Sequence, residues 1–466
     1  MNNPSSAPDA QAPRPVRTFF DHIRLTLALA WPVVVSRSGL MIMVSTDVAM
    51  TGHAGKDELA FISIAMATQI TLMLVGIGML FGTTVLTAQA HGAGEHARCG
   101  GIWRMGMLNA LGLGTLLGLF CLLGEEFLLL IGQTPEIAAG GGRVMMHYGW
   151  SMPGILLMVA TSFFLEGISK PRPAMIVTLV AVVVNGLLNQ VLIFGELGSM
   201  TLPGIDAMGA EGAVIATSIV RWLMMISLVV YAFSMRDSAE FGVRGGRIAS
   251  REAGKTMRRI GYPFGIAQGI EASAFSGLVL MAGYLGTASL GGYQIAQNLI
   301  ALAYMTAIGF GVATGVRVGN AIGRDDQQGI GRAAWVGVGL SAVVMALIGI
   351  VLALFPEAIV RIYSTDADVV AIAAATTLVS AFLLIFDGAQ GVLMSALRSC
   401  GEVWTPVILH ALSFWAVALP CAAWLGFQMN YGAPGLMGGM FAGVLLASVL
   451  LGLRFRYLTR RAIHRL

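Results

Sequence analysis

Apolar residues along this chain gather into long blocks separated by short stretches of Gly, Pro and charge. The blocks lie near residues 25–51, 58–90, 103–124, 138–168, 174–195, 212–234, 256–284, 289–321, 333–354, 369–397, 406–428 and 435–453. A helix crossing the hydrocarbon of a bilayer takes roughly 20 apolar residues, so the pattern predicts twelve transmembrane helices and an all-α integral membrane fold. The pattern also repeats. Shifting the chain by 231 positions lays Pro32 on Pro263, Met50 on Met281, Gly52 on Gly283, Gly55 on Gly286, Leu59 on Leu290 and Gly92 on Gly323, with no gap. A shift near half of the 466 residues, carried through apolar segments, marks a transporter built from two pseudo-symmetric lobes around a central site.

The expected organisation is an N-terminal lobe of six spans over residues 17–235, a cytoplasmic linker over 236–255 and a C-terminal lobe of six spans over 256–455. Residues 1–16, rich in Ala, Pro, Ser and Asn and without an apolar h-region, read as a disordered cytoplasmic tail, and 456–466 as a basic one.

Composition agrees with a membrane-embedded chain: 56 % of residues are hydrophobic, 11 % are charged and the mean hydropathy is +0.79. With twelve spans counted, Arg24, Arg98 and Arg104, Lys170 and Arg172, the run Arg236 to Arg259, Arg324, Arg332, Arg398 and Arg454 to Arg465 all fall on one side. The other side carries Lys56 and Arg361 among many acids, including Asp57, Glu58, Glu125, Glu126, Glu357, Asp366 and Asp368. Cytoplasmic loops are the Lys- and Arg-rich ones, which places both termini in the cytoplasm and the chain in the plasma (inner) membrane. The net charge of +4 is then a topology signal and not a nucleic-acid footprint. Cys99, Cys121, Cys400 and Cys421 have neither CxxC nor metal-site spacing and read as reduced structural residues.

Charge inside the apolar blocks is where function can be sought, because a charged side chain at mid-membrane costs about 2.5–3.5 kcal/mol on insertion scales. Asp47 interrupts the first block, Glu271 the seventh and Asp387 the tenth. None of the three repeats: the 231-residue shift sets Asp47 on Leu278 and Leu40 on Glu271. Asp47 and Glu271 nevertheless sit two helical turns apart on the same face of equivalent helices, a face expected to look into the cavity between the lobes. A buried acid there can bind a cation or take a proton, or simply pair with a buried Arg.

Asn185 and Asn189 stand at i and i+4 in the fifth block and Thr217 lies in the sixth. Their oxygens suit a hard cation, and equally they can bond neighbouring helices. Arg37 and Arg221, also inside blocks, are candidate counter-ions or substrate contacts, with pairing inside the bundle as the other reading. No GxxxxGK[ST] motif is present, so ATP-driven pumping by this chain is unsupported, and no Ser-His-Asp or HExxH arrangement suggests an enzyme.

The segment Leu29-Ala-Trp-Pro32 through Asp47-Val-Ala-Met-Thr-Gly52-His-Ala-Gly55 resembles the opening signature of the multidrug and toxic compound extrusion (MATE) transporters. Gly167-Ile-Ser-Lys-Pro-Arg172-Pro173, followed by Asn185 and Asn189, and Ile308 to Thr314 with Arg317-Val-Gly319-Asn320-Ala-Ile-Gly323, are similar to later landmarks of that family. Glu271 and Asp387 stand where its NorM-like branch has an acidic pair. The resemblance implies two six-helix lobes in a V, exporting cationic amphipathic drugs by alternating access against inward Na⁺ or H⁺, with no other cofactor and no enzymatic step. It implies an N-lobe polar site of Asp47, Asn185, Asn189 and Thr217, a coupling site at Glu271 and Asp387 where Na⁺ could bind, and a monomer surrounded by membrane lipid. Two departures stand out: Asn189 replaces the Asp of other branches, and Leu383 replaces a Tyr found in some sodium-coupled relatives. The alternative within the wider superfamily is a flippase for a lipid-linked precursor, expected to have a more cationic cavity than three acids and two Arg provide.

Overall fold

The computed structural model describes residues 19–197, 200–201, 206–245 and 250–466. The predicted tail over 1–16 and part of the linker therefore lie outside the described residues. Twelve helices are long and apolar enough to span a membrane: α1 (Phe19–Ala54), α2 (Lys56–Gly92), α3 (His96–Leu122), α4 (Pro135–Gly167), α5 (Arg172–Phe194), α6 (Gly209–Ser234), α7 (Arg251–Tyr284), α8 (Thr287–Gly323), α9 (Gln327–Leu354), α10 (Ala367–Ser399), α11 (Trp404–Gln428) and α12 (Gly432–Leu458). Several run beyond their apolar blocks. Helix α7 begins at Arg251, inside the segment read as linker, because the Ser250 hydroxyl accepts from the Ala253 amide at 3.2 Å and caps it. Short helices Gly124–Leu130 and Pro356–Val360 follow α3 and α9, and a two-residue hairpin, β1 (Glu196–Leu197) with β2 (Met200–Thr201), follows α5.

The internal repeat survives in the backbone. Pro32 in α1 and Pro263 in α7 occupy equivalent helix-interior positions, where each ring removes one backbone hydrogen bond. Gly94 (φ 79°) and Asp325 (φ 56°), also 231 apart, both take the left-handed conformation that turns the chain from α2 into α3 and from α8 into α9. Two elements break the symmetry. α2 is interrupted at Phe81, which its counterpart in α8 is not. α11 contains π-helical turns at Leu412–Ala418 and Trp424–Gln428.

Each lobe has its own apolar core. Met152, Leu156 and Phe164 of α4 lie at the centre of one, and Leu278, Ala307, Leu384 and Phe414 in the other. The lobes meet along α1, α2, α7 and α8. At two crossings the backbones nearly touch, and only Gly fits. A Cβ on Gly261 would lie 1.8 Å from the Met79 carbonyl, and one on Gly323 would lie 2.1 Å from that of Gln89. Phe81 of α2 packs edge-on against Phe264 of α7 at 5.2 Å beside the first crossing.

These crossings, and the hydrogen bonds that pass between lobes, lie at the Arg-rich ends of the helices. Gln89 Nε2 donates to the Ser399 carbonyl at 3.0 Å, and Asn320 Nδ2 to Ser169 Oγ at 3.3 Å. Arg317 of α8 bonds His22 and Thr26 of α1. The chain end joins in, with Arg465 paired to Glu95 at 2.9 Å and the Leu466 amide donating to Gln89 Oε1 at 2.9 Å. Toward the acidic ends the same helices expose large side chains, including Leu280 and Tyr284. The seam is closed at the basic end.

Candidate functional site

Asp47, on α1, is only 1 % exposed. Its two oxygens are held from two other helices: Asn189 Nδ2 of α5 donates to Oδ1 at 2.7 Å and Thr217 Oγ1 of α6 donates to Oδ2 at 2.6 Å. Asn185, one turn before Asn189, donates to Thr217 Oγ1 at 3.0 Å and its Oδ1 lies 3.5 Å from Asn189 Nδ2. The i and i+4 spacing puts both amides on one face of α5, so a single helix supplies both. All four side chains are buried, and Asn189 Oδ1 has no hydrogen-bond partner.

The Asp47 face was expected to look into the space between the lobes. It turns instead into the N-terminal lobe, because three helices of that lobe close around it. Arg221, one turn after Thr217 on α6, lies close enough for its charge to act on Asp47 but makes no ion pair with it. It donates to Ser151 Oγ at 2.9 Å and lies over the Tyr148 ring at 5.3 Å. The Gln69 amide, with its oxygen toward the guanidinium, accepts at 3.1 and 3.2 Å. Arg37 pairs with Glu166 of α4 at 3.5 Å. Glu166 is a fourth acid within a span, inconspicuous in the sequence because it closes the apolar run Phe163-Phe-Leu165 just before Gly167.

The second cluster belongs to the C-terminal lobe. Glu271 of α7, with its side chain 16 % exposed, lies 3.5 Å from His410 Nε2 of α11. His410 stacks on Phe414 at 4.3 Å, and its Nδ1 lies 3.2 Å from Gln390 Nε2. Gln390 stands one turn after Asp387 on α10, and Asp387 lies within electrostatic reach of Glu271. The half-buried Tyr304 of α8 lies within electrostatic reach of both acids. His410 is absent from the residues singled out by sequence; its place near the middle of an apolar block was the signal available.

The structure thus joins Asp47, Asn185, Asn189 and Thr217 in one lobe and brings Glu271 near Asp387 in the other, with Arg221 beside the first cluster and Arg37 in a separate pair. Chemically, Asp47 and Asp387 (7 % exposed) share one property: neither has Lys or Arg within ion-pair distance among the described residues. A desolvated carboxylate without a counter-charge is costly, and a cation or a proton would relieve it. Asp47 with the free Asn189 oxygen and Thr217 Oγ1 forms an oxygen-lined niche of the kind hard cations accept.

Outside the spans, ion pairs at the basic end include Arg98 with Glu95 and Lys170 with Asp237. Hydrogen bonding from Arg98 holds the Glu95 carboxyl below its ordinary range, and Lys170 does the same for Asp237 at 2.5 Å.

Known proteins resemble this chain over nearly its whole length. The MatE family model matches residues 32–191 and 263–424, one match in each lobe. A probable multidrug resistance protein NorM of Caulobacter vibrioides is 33 % identical over 93 % of this chain and 91 % of its own. One of the same name from Rhodopseudomonas palustris is 32 % identical over 99 % and 98 %. Among solved structures, the eukaryotic MATE transporter AtDTX14 superposes with a TM-score of 0.84 at 20 % identity, covering 95 % of this chain and 98 % of that one. An outward-facing multidrug resistance MATE family transporter reaches 0.86 at 16 % identity, covering 94 % and 96 %. At such identities the structures speak for the fold alone.

Proposed function

The chain belongs to the MatE family of multi-pass membrane transporters, and from that premise we propose that it is a cation-coupled multidrug efflux antiporter. Its substrates are cationic amphipathic compounds, exported across the inner membrane by alternating access in exchange for Na⁺ or H⁺. Both termini are cytoplasmic, and one chain supplies both lobes, so it works as a monomer. The observation that carries this reading is the pair of buried carboxylates, Asp47 and Asp387, one in each lobe and neither ion-paired among the described residues. Such a group can be neutralised by the coupling ion or by a cationic drug, but not by both at once, and that exclusion is what couples two fluxes.

The seam supports a direction. With the Arg-rich end cytoplasmic, the lobes are shut inward, which leaves the outward side as the one by which a drug leaves and an ion enters. Ion binding at Glu271 and Asp387 would favour this state, and drug arriving from the cytoplasm would displace the ion. The acids also favour cationic cargo over the pyrophosphate of a lipid-linked precursor: with Glu166 they number four, and Arg37 is engaged by one of them.

The test is ethidium efflux from proteoliposomes under an imposed Na⁺ gradient and, separately, an imposed pH gradient. One gradient should drive uphill efflux, and Asp47→Asn, Glu271→Gln and Asp387→Asn should each reduce it at least tenfold at equal protein content. Efflux by Asp387→Asn at the parent rate would remove Asp387 from the coupling site. Failure of both gradients to drive any drug would remove the antiport reading.

A further inference from the structure

A cavity of about 990 Å³ opens on the outside of the seam at its basic end, apart from both acid clusters. Both lobes build it. The N-terminal lobe contributes the ends of α1, α2 and α6, the α4–α5 connection and the start of α5, and the C-terminal lobe contributes the last turns of α8. Its polar side carries Lys170, Arg172, Arg317 and Arg324 together with His91 and His96, and no Asp or Glu lines it. Two of these side chains already have acidic partners: Lys170 is paired with Asp237, and His96 with Glu240 at 2.5 Å. Arg172 is exposed at the rim.

The apolar part of the lining comes from Leu25 and Leu29 of α1 and Ile176 and Val177 of α5. Ile176 is 56 % exposed, on a part of α5 that faces the bilayer. Two polar atoms in the lining are buried without a hydrogen-bond partner, His91 Nδ1 and Asn320 Oδ1. An amphiphile fits this division: an anionic, hydrogen-bonding head against the cations, and a hydrocarbon tail along α1 and α5. Basic pockets between spans on the cytoplasmic side have the chemistry for acidic lipid heads.

We propose that this cavity is a binding site for an anionic glycerophospholipid of the cytoplasmic leaflet, its phosphate held by Arg172 and Lys170 from one lobe and Arg324 from the other. A lipid gripped from both lobes clamps the seam shut and stabilises the state closed at the basic end. The site is separate from the coupling acids and does not depend on which ion couples.

The test is native mass spectrometry of the purified full chain titrated with dioleoylphosphatidylglycerol, dioleoylphosphatidylcholine or inorganic phosphate. The wild type should retain phosphatidylglycerol in preference to phosphatidylcholine. Arg172→Gln should lower that retention about five-fold, the effect of one surface cation on an acidic lipid. Ile176→Trp, at an exposed position, should lower it by filling the apolar side, and Arg361→Gln at the far end of the molecule should leave it unchanged. Equal retention of the two lipids, or undiminished preference in both pocket variants, would overturn the proposal. So would inorganic phosphate that alone displaces the lipid at equal concentration, since the head would then need no tail.

Discussion

At the scale of single residues, the polar network around Asp47 is a chain of dependencies. Thr217 donates to the carboxylate and accepts from Asn185, so one hydroxyl serves two partners. Thr217→Val should destabilise the protein by about 1–3 kcal/mol, the cost of leaving buried polar groups unpaired, while Thr217→Ser should stay near the parent; melting of the purified protein separates the two. The Arg37 and Glu166 pair makes a sharper case. Arg37→Met leaves a buried carboxylate without its counter-ion, an effect of about 3–5 kcal/mol, and adding Glu166→Gln should recover most of the lost melting temperature. If the double variant is no more stable than the single, the pair is not what holds these residues. At the surface, the carboxyl of Glu95 is lowered in the folded state, so its ion pairs contribute fully above the ordinary carboxylate pKa of about 4.5 and are lost as pH falls through the lower folded value. Acidification below that range should weaken the Arg465 contact first. Asp47, Glu271 and Asp387 were legible in the sequence because charge in an apolar block is rare. Glu166 and His410 did not stand out, since one sits at a block's end and the other is not a fixed charge, and neither declares its partner until α1 meets α4 and α7 meets α11.

At the scale of elements, the twelve spans and the repeat could be read from apolar block lengths and punctuation, because a lipid-facing helix must be both long and apolar. Helix ends could not: residues 19–24 and 96–102, which carry charge and His, continue their helices past the apolar block, where capping and packing decide and hydropathy is silent. The π-helical turns of α11 also left no mark, although Pro420 follows the first of them and its missing N–H loosens the regular ladder there. The crossings between lobes rest on Gly261 and Gly323, and a Cβ at either must push two backbones apart. Gly261→Val should therefore widen the basic end. Spin labels at Arg98→Cys and Arg332→Cys, in a chain with its native Cys replaced, would report it as a longer or broader interlobe distance. Gln89→Leu removes the bonds to Ser399 and to the Leu466 amide together and should act in the same direction with a smaller amplitude. An unchanged distance in both variants would mean that the seam is held elsewhere.

At the scale of the whole molecule, the duplication supplies two similar bodies that meet at one end, and the departures from it supply the chemistry. The scaffold positions match across 231 residues down to the left-handed turns at Gly94 and Asp325, whereas the acids do not, so each lobe carries a different site. The expectation that Asp47 looks into the cavity between the lobes fails for a physical reason: a carboxylate in a membrane protein is stabilised by donors, and those of Asp47 lie inside its own lobe. In the proposed antiport, ion and drug would compete for a carboxylate within one lobe, and the relative position of the lobes would carry the outcome to the other. The measurement that tests this most directly is the equilibrium affinity of the purified protein for ethidium, followed by fluorescence across a Na⁺ titration and a pH titration, in the wild type and in Asp387→Asn. Raising the coupling ion should weaken ethidium binding to the wild type at least tenfold and leave Asp387→Asn nearly flat. A wild-type affinity indifferent to both ions, or an Asp387→Asn variant that shifts as the wild type does, would contradict it.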